Sequence, residues 1–187
     1  MTTRFDILPT PLEGLRTLRR KPVGDIRGFL ERMFCADELS QILGCKPIAQ
    51  VNRTLTGMRG SIRGMHFQHA PHAETKFVTC LRGEVFDVAV DVRKNSPTFL
   101  QWHGQILTHD NHATLVIPEG FAHGFQTLSN DCELLYFHTA AYQADSEGAL
   151  NAQDPRLAIK WPLEITHQSE RDKSHAQITQ TFQGVTL

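Results

Sequence analysis

The most regular pattern in the chain lies between residues 85 and 93. There Val85, Asp87, Ala89, Asp91 and Arg93 alternate with Phe86, Val88, Val90 and Val92. A period of two with one strongly apolar face predicts a β-strand. Residues 76–81 precede it across Arg82-Gly83-Glu84, which predicts a hairpin. Further strands are predicted over 99–107, 113–117, 121–128 and 132–142. They are divided by Asn95-Ser96-Pro97, Pro118-Glu119-Gly120 and Ser129-Asn130-Asp131. Residues 36–43 suit one short helix ended by Gly44. Beyond Tyr142 the pattern is irregular, with Asp154-Pro155 and Trp161-Pro162 marking turns. Short strands at a spacing of about 8–12 residues imply an all-β sandwich or barrel rather than a βαβ sheet.

Composition narrows this only slightly. The 187 residues suit one domain over 1–187, and 40% hydrophobic with 21% charged residues is an ordinary globular balance. A formal net charge of −1 provides no global field for nucleic acid or a membrane, so an anionic ligand must be held by a few local Arg and Lys side chains. The start, MTTRFDILPT, lacks the continuous apolar core of a signal peptide, and no stretch reaches the roughly 20 apolar residues of a spanning helix. Cys35, Cys45, Cys80 and Cys132 form no CxxC pair, which predicts free thiols and a cytoplasmic protein.

The histidines add candidate chemistry. Pro118-Glu119-Gly120-Phe121-Ala122-His123 fits the PxGxxH element of cupin barrels, which sets a His at a strand end in the barrel mouth. The other cupin element would be HxH followed by Glu. Here His66-Phe67-Gln68 carries Gln in place of the second His, with Glu74 further on. His69 or His72 would replace it only if the loop holding Ala70-Pro71 folded inward. The expectation is therefore no metal and no redox cofactor. Two alternatives stand: a metal-dependent cupin enzyme using His66, His123 and a nearby His or Glu, and a non-catalytic sugar-nucleotide binding barrel.

A longer set of motifs is collinear with one family. Asp25-x-Arg27-Gly28-Phe29, Gln50-x-Asn52, the run from Arg63 to Gln68, Lys76, the run from Gly83 to Arg93, Ser96-Pro97-Thr98 and the run from Pro118 to Phe125 resemble the dTDP-4-dehydrorhamnose 3,5-epimerases. Tyr136, Ser146-Glu147-Gly148, Asp154-Pro155, Trp161-Pro162 and Arg171-Asp172 continue the match, which spans about residues 22–173. The resemblance implies a cupin-type jelly-roll β-barrel with short peripheral helices. It also implies a homodimer, and inversion of C3, C5 or both in a nucleotide-linked 4-keto-6-deoxyhexose. By resemblance His66 is the base, Asp172 orients its imidazole, Lys76 steadies the developing enolate and Tyr136 donates the returning proton. Arg27, Arg63 and Arg171 would meet the diphosphate. Gln50, Asn52 and Glu147 would contact base, ribose or sugar, and His123 and Phe125 would shape the sugar pocket.

Four positions depart from the family pattern. Arg32 stands where Glu is common, Phe137 where Lys is frequent, Ala141 at the first of a Tyr pair and Ala152 at a usual Trp. Arg32, Ala141 and Ala152 predict an altered nucleotide end, and with it the alternative of a related epimerase that acts on a CDP-linked or other nucleotide-linked keto deoxysugar at one centre only.

Overall fold

The computed structural model of the chain describes residues 3–187. Two antiparallel sheets face each other. The larger runs, in spatial order, β1 (Phe5–Pro9), β2 (Arg16–Arg20), β10 (Ala113–Ile117), β7 (Lys76–Arg82), β12 (Cys132–His138) and β5 (Gln50–Thr56). The smaller runs β13 (Glu147–Ala149), β6 (Ile62–Gln68), β11 (Phe121–Thr127), β8 (Glu84–Asp91) and β9 (Trp102–Thr108). A two-stranded hairpin, β3 (Val23–Asp25) and β4 (Gly28–Leu30), stands apart from both. Two short helices, α1 (Ser40–Leu43) and α2 (Glu170–Ser174), lie at the periphery. This is the expected all-β, cupin-type jelly roll. No described helix is long and apolar enough to cross a membrane.

Side-chain alternation builds three layers of core. Val85 and Ala89 of β8 point between the sheets, where they join Val78, Leu115, Phe121, Phe125, Leu134 and Tyr136. Val88, Val90 and Val92 point the other way and pack under Leu150, Ala152, Leu157, Ile178 and Val185 from the C-terminal segment. β8 is therefore buried on both faces. Its strongly apolar face meets the C-terminal segment, while its mixed face, carrying fully buried Asp87 and Asp91, turns inward. On the outside of the larger sheet, Phe5, Leu18, Phe77 and Val116 are covered by Leu39 and Leu43. Burying those two leucines is worth about 1.5–3 kcal/mol each, which holds a helix too short to persist alone.

Several boundaries differ from the sequence pattern for local reasons. The helix forms only over Ser40–Leu43, with residues 36–39 in turns. It ends, as expected, at Gly44, where φ is 59°. β9 starts at Trp102 because the chain first winds through Asn95 and Leu100, both at positive φ, with Phe99 and Gln101 bonded back to Ser96 and Thr98. β12 stops at His138, where the Thr139 N–H turns to the Thr75 carbonyl. The four cysteines are free, and burial pushes the Cys80 thiol up to about 12.

Candidate active site

β6 and β11 lie side by side with His66 opposite His123, and the register slips between His123 and Phe125. Two glycines make that slip possible. A Cβ on Gly64 would stand 2.5 Å from the Gly124 Cα, and one on Gly124 would stand 2.8 Å from the Arg63 carbonyl oxygen. Only bare backbones approach so closely. Across the barrel, β7 and β12 bring up Lys76 and Tyr136. Together these strands enclose a cavity of about 200 Å³ bounded by Arg63, His66, Lys76, His123, Phe125 and Tyr136. A wider opening, reaching Gln50, Tyr142 and Glu147, shares Asn52, Arg63, His66, Lys76 and His138 with it.

His66 is held from the C-terminal side. The Ser169 hydroxyl caps α2 by accepting the Asp172 N–H at 3.0 Å, which fixes Asp172 beside β6. The Asp172 Oδ1 lies 2.9 Å from the His66 Nε2, and its Oδ2 accepts the Gly64 N–H at 3.3 Å. Burial works to raise the Asp172 pKa, but the bonds from His66, Gly64 and Ser169 outweigh it and hold the carboxyl below its ordinary value. Paired with an ionised carboxylate, the His66 Nε2 carries the hydrogen, and Nδ1 keeps a free lone pair. His175 approaches the same carboxylate, with its Nε2 3.8 Å from Oδ1 and its ring edge-on to His66. Burial and the neighbouring His66 keep the His175 pKa below its usual value.

The facing wall holds a second set of paired groups. The buried Lys76 Nζ lies 3.2 Å from the Glu74 Oε1 and donates to the His66 carbonyl at 3.4 Å. The Glu74 Oε2 takes His138 Nδ1 at 2.8 Å. Burial raises the Glu74 pKa, yet the His138 bond and the Lys76 charge bring it below the ordinary carboxylate range. Tyr136 is buried between the rings of His123 and His138. Burial first, then the Asp87 charge, raises its phenol well above the usual value, so it stays protonated. His123 Nε2 pairs with Asp87 Oδ1 at 2.7 Å, leaving the buried Asp87 Oδ2 without a partner.

The remaining expected residues fall mostly around this opening. Gln50 and Asn52 sit on the edge strand β5, where the Gln50 Oε1 accepts the Tyr142 N–H and the Asn52 amide lies 3.4 Å from His138 Nε2. Glu147 on β13 pairs with Arg171 on α2 and accepts the Tyr142 hydroxyl at 3.0 Å. Arg27 is the exception. It is exposed on the β3–β4 hairpin, paired with Asp25, and does not border the cavity of its own chain.

Asp87 and His138 are not among the expected site residues, and Glu74 enters the expectation only as a possible metal ligand. Period-two geometry carries a signal for two of them. Asp87 lies between the inward Val85 and Ala89, and His138 shares a face with Tyr136.

The cupin-type metal set is not assembled. Glu74 is taken by Lys76 and His138, His123 by Asp87, and His72 by Ser146. The Gln68 side chain donates to the His72 and Ala141 carbonyls and accepts the Gln143 N–H, so it stitches loops together. Among the described residues, one group of three brings its donor atoms close enough for an ion: His66, Asp172 and His175.

Three of the four departures also lie off the cavity of this chain. Ala152 is buried in the outer core of the smaller sheet, where its carbonyl accepts the Trp161 indole N–H at 2.8 Å. Phe137 stacks on Phe34 outside the larger sheet, ring centroids 5.5 Å apart, and Arg32 pairs with Glu38. Only Ala141 adjoins the opening, beside Tyr142.

Barrel and site together define the class: a cupin-type jelly roll with ionisable groups converging on its mouth from both sheets. The chain belongs to the dTDP-4-dehydrorhamnose 3,5-epimerase family, whose sequence profile matches residues 9–180. It is 39% identical over 165 residues to the dTDP-4-dehydrorhamnose 3,5-epimerase of Sinorhizobium fredii, covering 88% of this chain and 85% of that protein. It is 35% identical to the dTDP-4-dehydrorhamnose 3-epimerase of Streptomyces niveus, covering 88% and 80%. Among solved structures, the dTDP-6-deoxy-D-glucose-3,5-epimerase of Legionella pneumophila, in complex with dTDP-4-keto-L-rhamnose, superposes with a TM-score of 0.87. That protein is 39% identical, with 92% of each chain covered.

Proposed function

We propose that the whole chain works as one domain that epimerises a dTDP-linked 4-keto-6-deoxyhexose at C3, C5 or both, by proton abstraction and re-addition. The observation that carries this is the placement of His66 and Tyr136 on opposing sheets around one cavity, with Asp172 behind the imidazole. The hydrogen on a carbon beside a ketone is only weakly acidic. The His66 Nδ1 takes it from one face, and Asp172 stabilises the resulting imidazolium. The Lys76 ammonium balances charge gathering on the ketone oxygen. Tyr136, kept protonated by burial, returns a proton from the opposite wall, and the centre inverts. Arg63 and Arg171 serve the diphosphate; Gln50, Asn52 and Glu147 serve the nucleoside and sugar; His123 and Phe125 shape the pocket. No step calls for a cofactor. Incubation with the dTDP-keto sugar in D₂O tests the reading, with deuterium expected at C3 or C5. Absence of exchange with the dTDP, CDP, UDP and GDP forms alike would end it. Relative rates across the four also rank the nucleotide.

The same proposal includes a cytoplasmic homodimer. Four unpaired cysteines suit a reducing compartment. The hairpin leaves Ile26, Phe29 and Leu30 exposed together, an apolar patch that a second copy would cover. Docked on a partner, the hairpin could also carry Arg27 towards the other subunit's opening. Analytical ultracentrifugation should give a dimer that Ile26→Asp weakens; a monomeric native protein would refute the assembly.

A further inference from the structure

His175 has no part in the proton transfers, yet it shares a carboxylate oxygen with His66. Its Nε2 is buried and has no hydrogen-bond partner. The ligand atoms of His66, Asp172 and His175 all lie within 4.8 Å of one another. The two imidazole nitrogens stand 2.9 and 3.8 Å from the Asp172 Oδ1. In a tetrahedral zinc site with bonds of about 2.0–2.1 Å, ligand atoms are separated by about 3.3–3.4 Å. The two separations from the carboxylate oxygen straddle that value, and the two imidazole nitrogens lie within 4.8 Å of each other, so side-chain rotations can bring the three donors onto one ion. Two neutral imidazoles and one carboxylate, with a fourth position open to water, are a donor set that suits zinc.

We infer that His66, Asp172 and His175 form an inhibitory site for a divalent transition metal, with Zn²⁺ the best-suited ion. The metal takes the place of the hydrogen between the His66 Nε2 and Asp172. A neutral imidazole keeps its single proton, which moves from Nε2 to Nδ1. The lone pair that would accept the substrate proton is then gone, and Asp172 is bound to the ion instead of the ring. Arg63 and Arg171 border the site and oppose a cation there, although Arg171 is already paired with Glu147. The inhibitory consequence rests on His66 being the base; the binding of metal does not.

Isothermal titration of the full-length protein with ZnCl₂ alone tests the binding. One ion per chain is expected, with affinity lowered at least about tenfold in His175→Ala, equivalent to about 1.4 kcal/mol. His175→Asn serves if the alanine variant folds poorly. The native protein should give the visible spectrum of four-coordinate Co²⁺, and Asp172→Asn should lose it. Zinc should also suppress epimerisation by the native enzyme, EDTA should restore it, and the His175 variants should need at least about tenfold more zinc. Equal zinc affinity in native and His175 proteins would overturn the site, and binding without inhibition would overturn its regulatory role. Failure of solvent exchange in metal-free protein would instead sink the epimerase reading and leave the zinc titration intact.

Discussion

The Asp172 carboxylate reaches the His66 ring from a helix of only five residues, with Oδ1 2.9 Å from Nε2. The helix is held in place by more than its own hydrogen bonds. Ser169 caps it, Arg171 ties it to Glu147 on β13, and the second Asp172 oxygen grips the Gly64 N–H. Asp172→Asn keeps size and shape but removes the charge that stabilises an imidazolium. It should lower kcat by about 10²–10⁴-fold, within the range of a positioned base, and change KM far less. Steady-state kinetics decide this, and an unchanged kcat would detach Asp172 from the reaction.

Tyr136→Phe separates the two proton transfers. The base still removes the carbon-bound hydrogen, so exchange with D₂O should persist while net inversion falls by about 10²-fold or more, the contribution of a positioned acid. Mass spectrometry of recovered substrate and NMR of the product distinguish the two. Equal loss of exchange and inversion would make Tyr136 part of the base side.

The same phenol predicts a pH dependence. The chain has two tyrosines, so Tyr142→Phe leaves Tyr136 as the only one. Its phenolate absorbance should then appear only above the usual value of 10.0, because burial favours the neutral form. Above pH 10 the unfolded chain releases this proton while the folded one retains it. Stability therefore falls as pH rises through that range, and Tyr136→Phe should flatten the alkaline limb of the unfolding curve.

How much of this was legible in the sequence depended on whether a feature was local. The strand 113–117 and the turn at Gly120 follow from alternation and turn chemistry and are found where expected, but the hairpin across Gly83 is not: β7 and β8 lie in different sheets, and Gly83, at φ 77°, turns the chain from one to the other. β1, β2, β13 and α2 escape the sequence pattern because each is fixed by a distant partner, and the local β3–β4 hairpin is too short, at three residues a strand, to show an alternation. β2 exists by pairing with β1 and β10, and α2 by the cap and ion pairs that dock it. The site shows the same division. Collinear motifs bring His66, Lys76 and Tyr136 to one cavity, but alternation alone does not say whether the mixed face of β8, with Asp87 between Val85 and Ala89, turns inward or outward. The C-terminal segment covers the other face, so the polar-looking side became the interior. Ala152 was misplaced for the same reason: its burial depends on a sheet it does not belong to.

Gly124→Ala tests the close approach that aligns the two histidine strands. The new Cβ would stand 2.5 Å from the Met65 sulfur and 2.8 Å from the Arg63 carbonyl. The thioether can swing aside, but the backbone oxygen cannot, so β6 must shift. Overpacking of this kind costs about 1–3 kcal/mol. Because His66 lies on the displaced strand, activity should fall more than the stability loss explains. Chemical denaturation and kinetics on the folded fraction check both parts; full activity with normal stability would show that the slip is not needed.

Asp91 anchors the opposite end of β8 and sets the acid limit of the fold. Its carboxylate accepts from the Arg93 guanidinium and backbone, from Ser96 at 2.5 Å and from Thr98 at 2.6 Å, while fully buried itself. Burial would raise its pKa, but these donors outweigh it and hold the value below the ordinary 3.8. A depressed carboxylate stabilises the fold fully above its unfolded value, and that stability is lost as pH falls through the folded one. Asp91→Asn turns an amide N–H₂ towards donors and leaves Arg93 uncompensated. At pH 7 it should cost about 3 kcal/mol, the lower end for breaking a buried pair, since Arg93 retains some access to water. Urea unfolding at pH 7 and at pH 3 separates this from a packing defect. The native protein should lose much of its advantage over the variant at the lower pH. A gap that stays constant between the two would show that the charge of Asp91 contributes nothing.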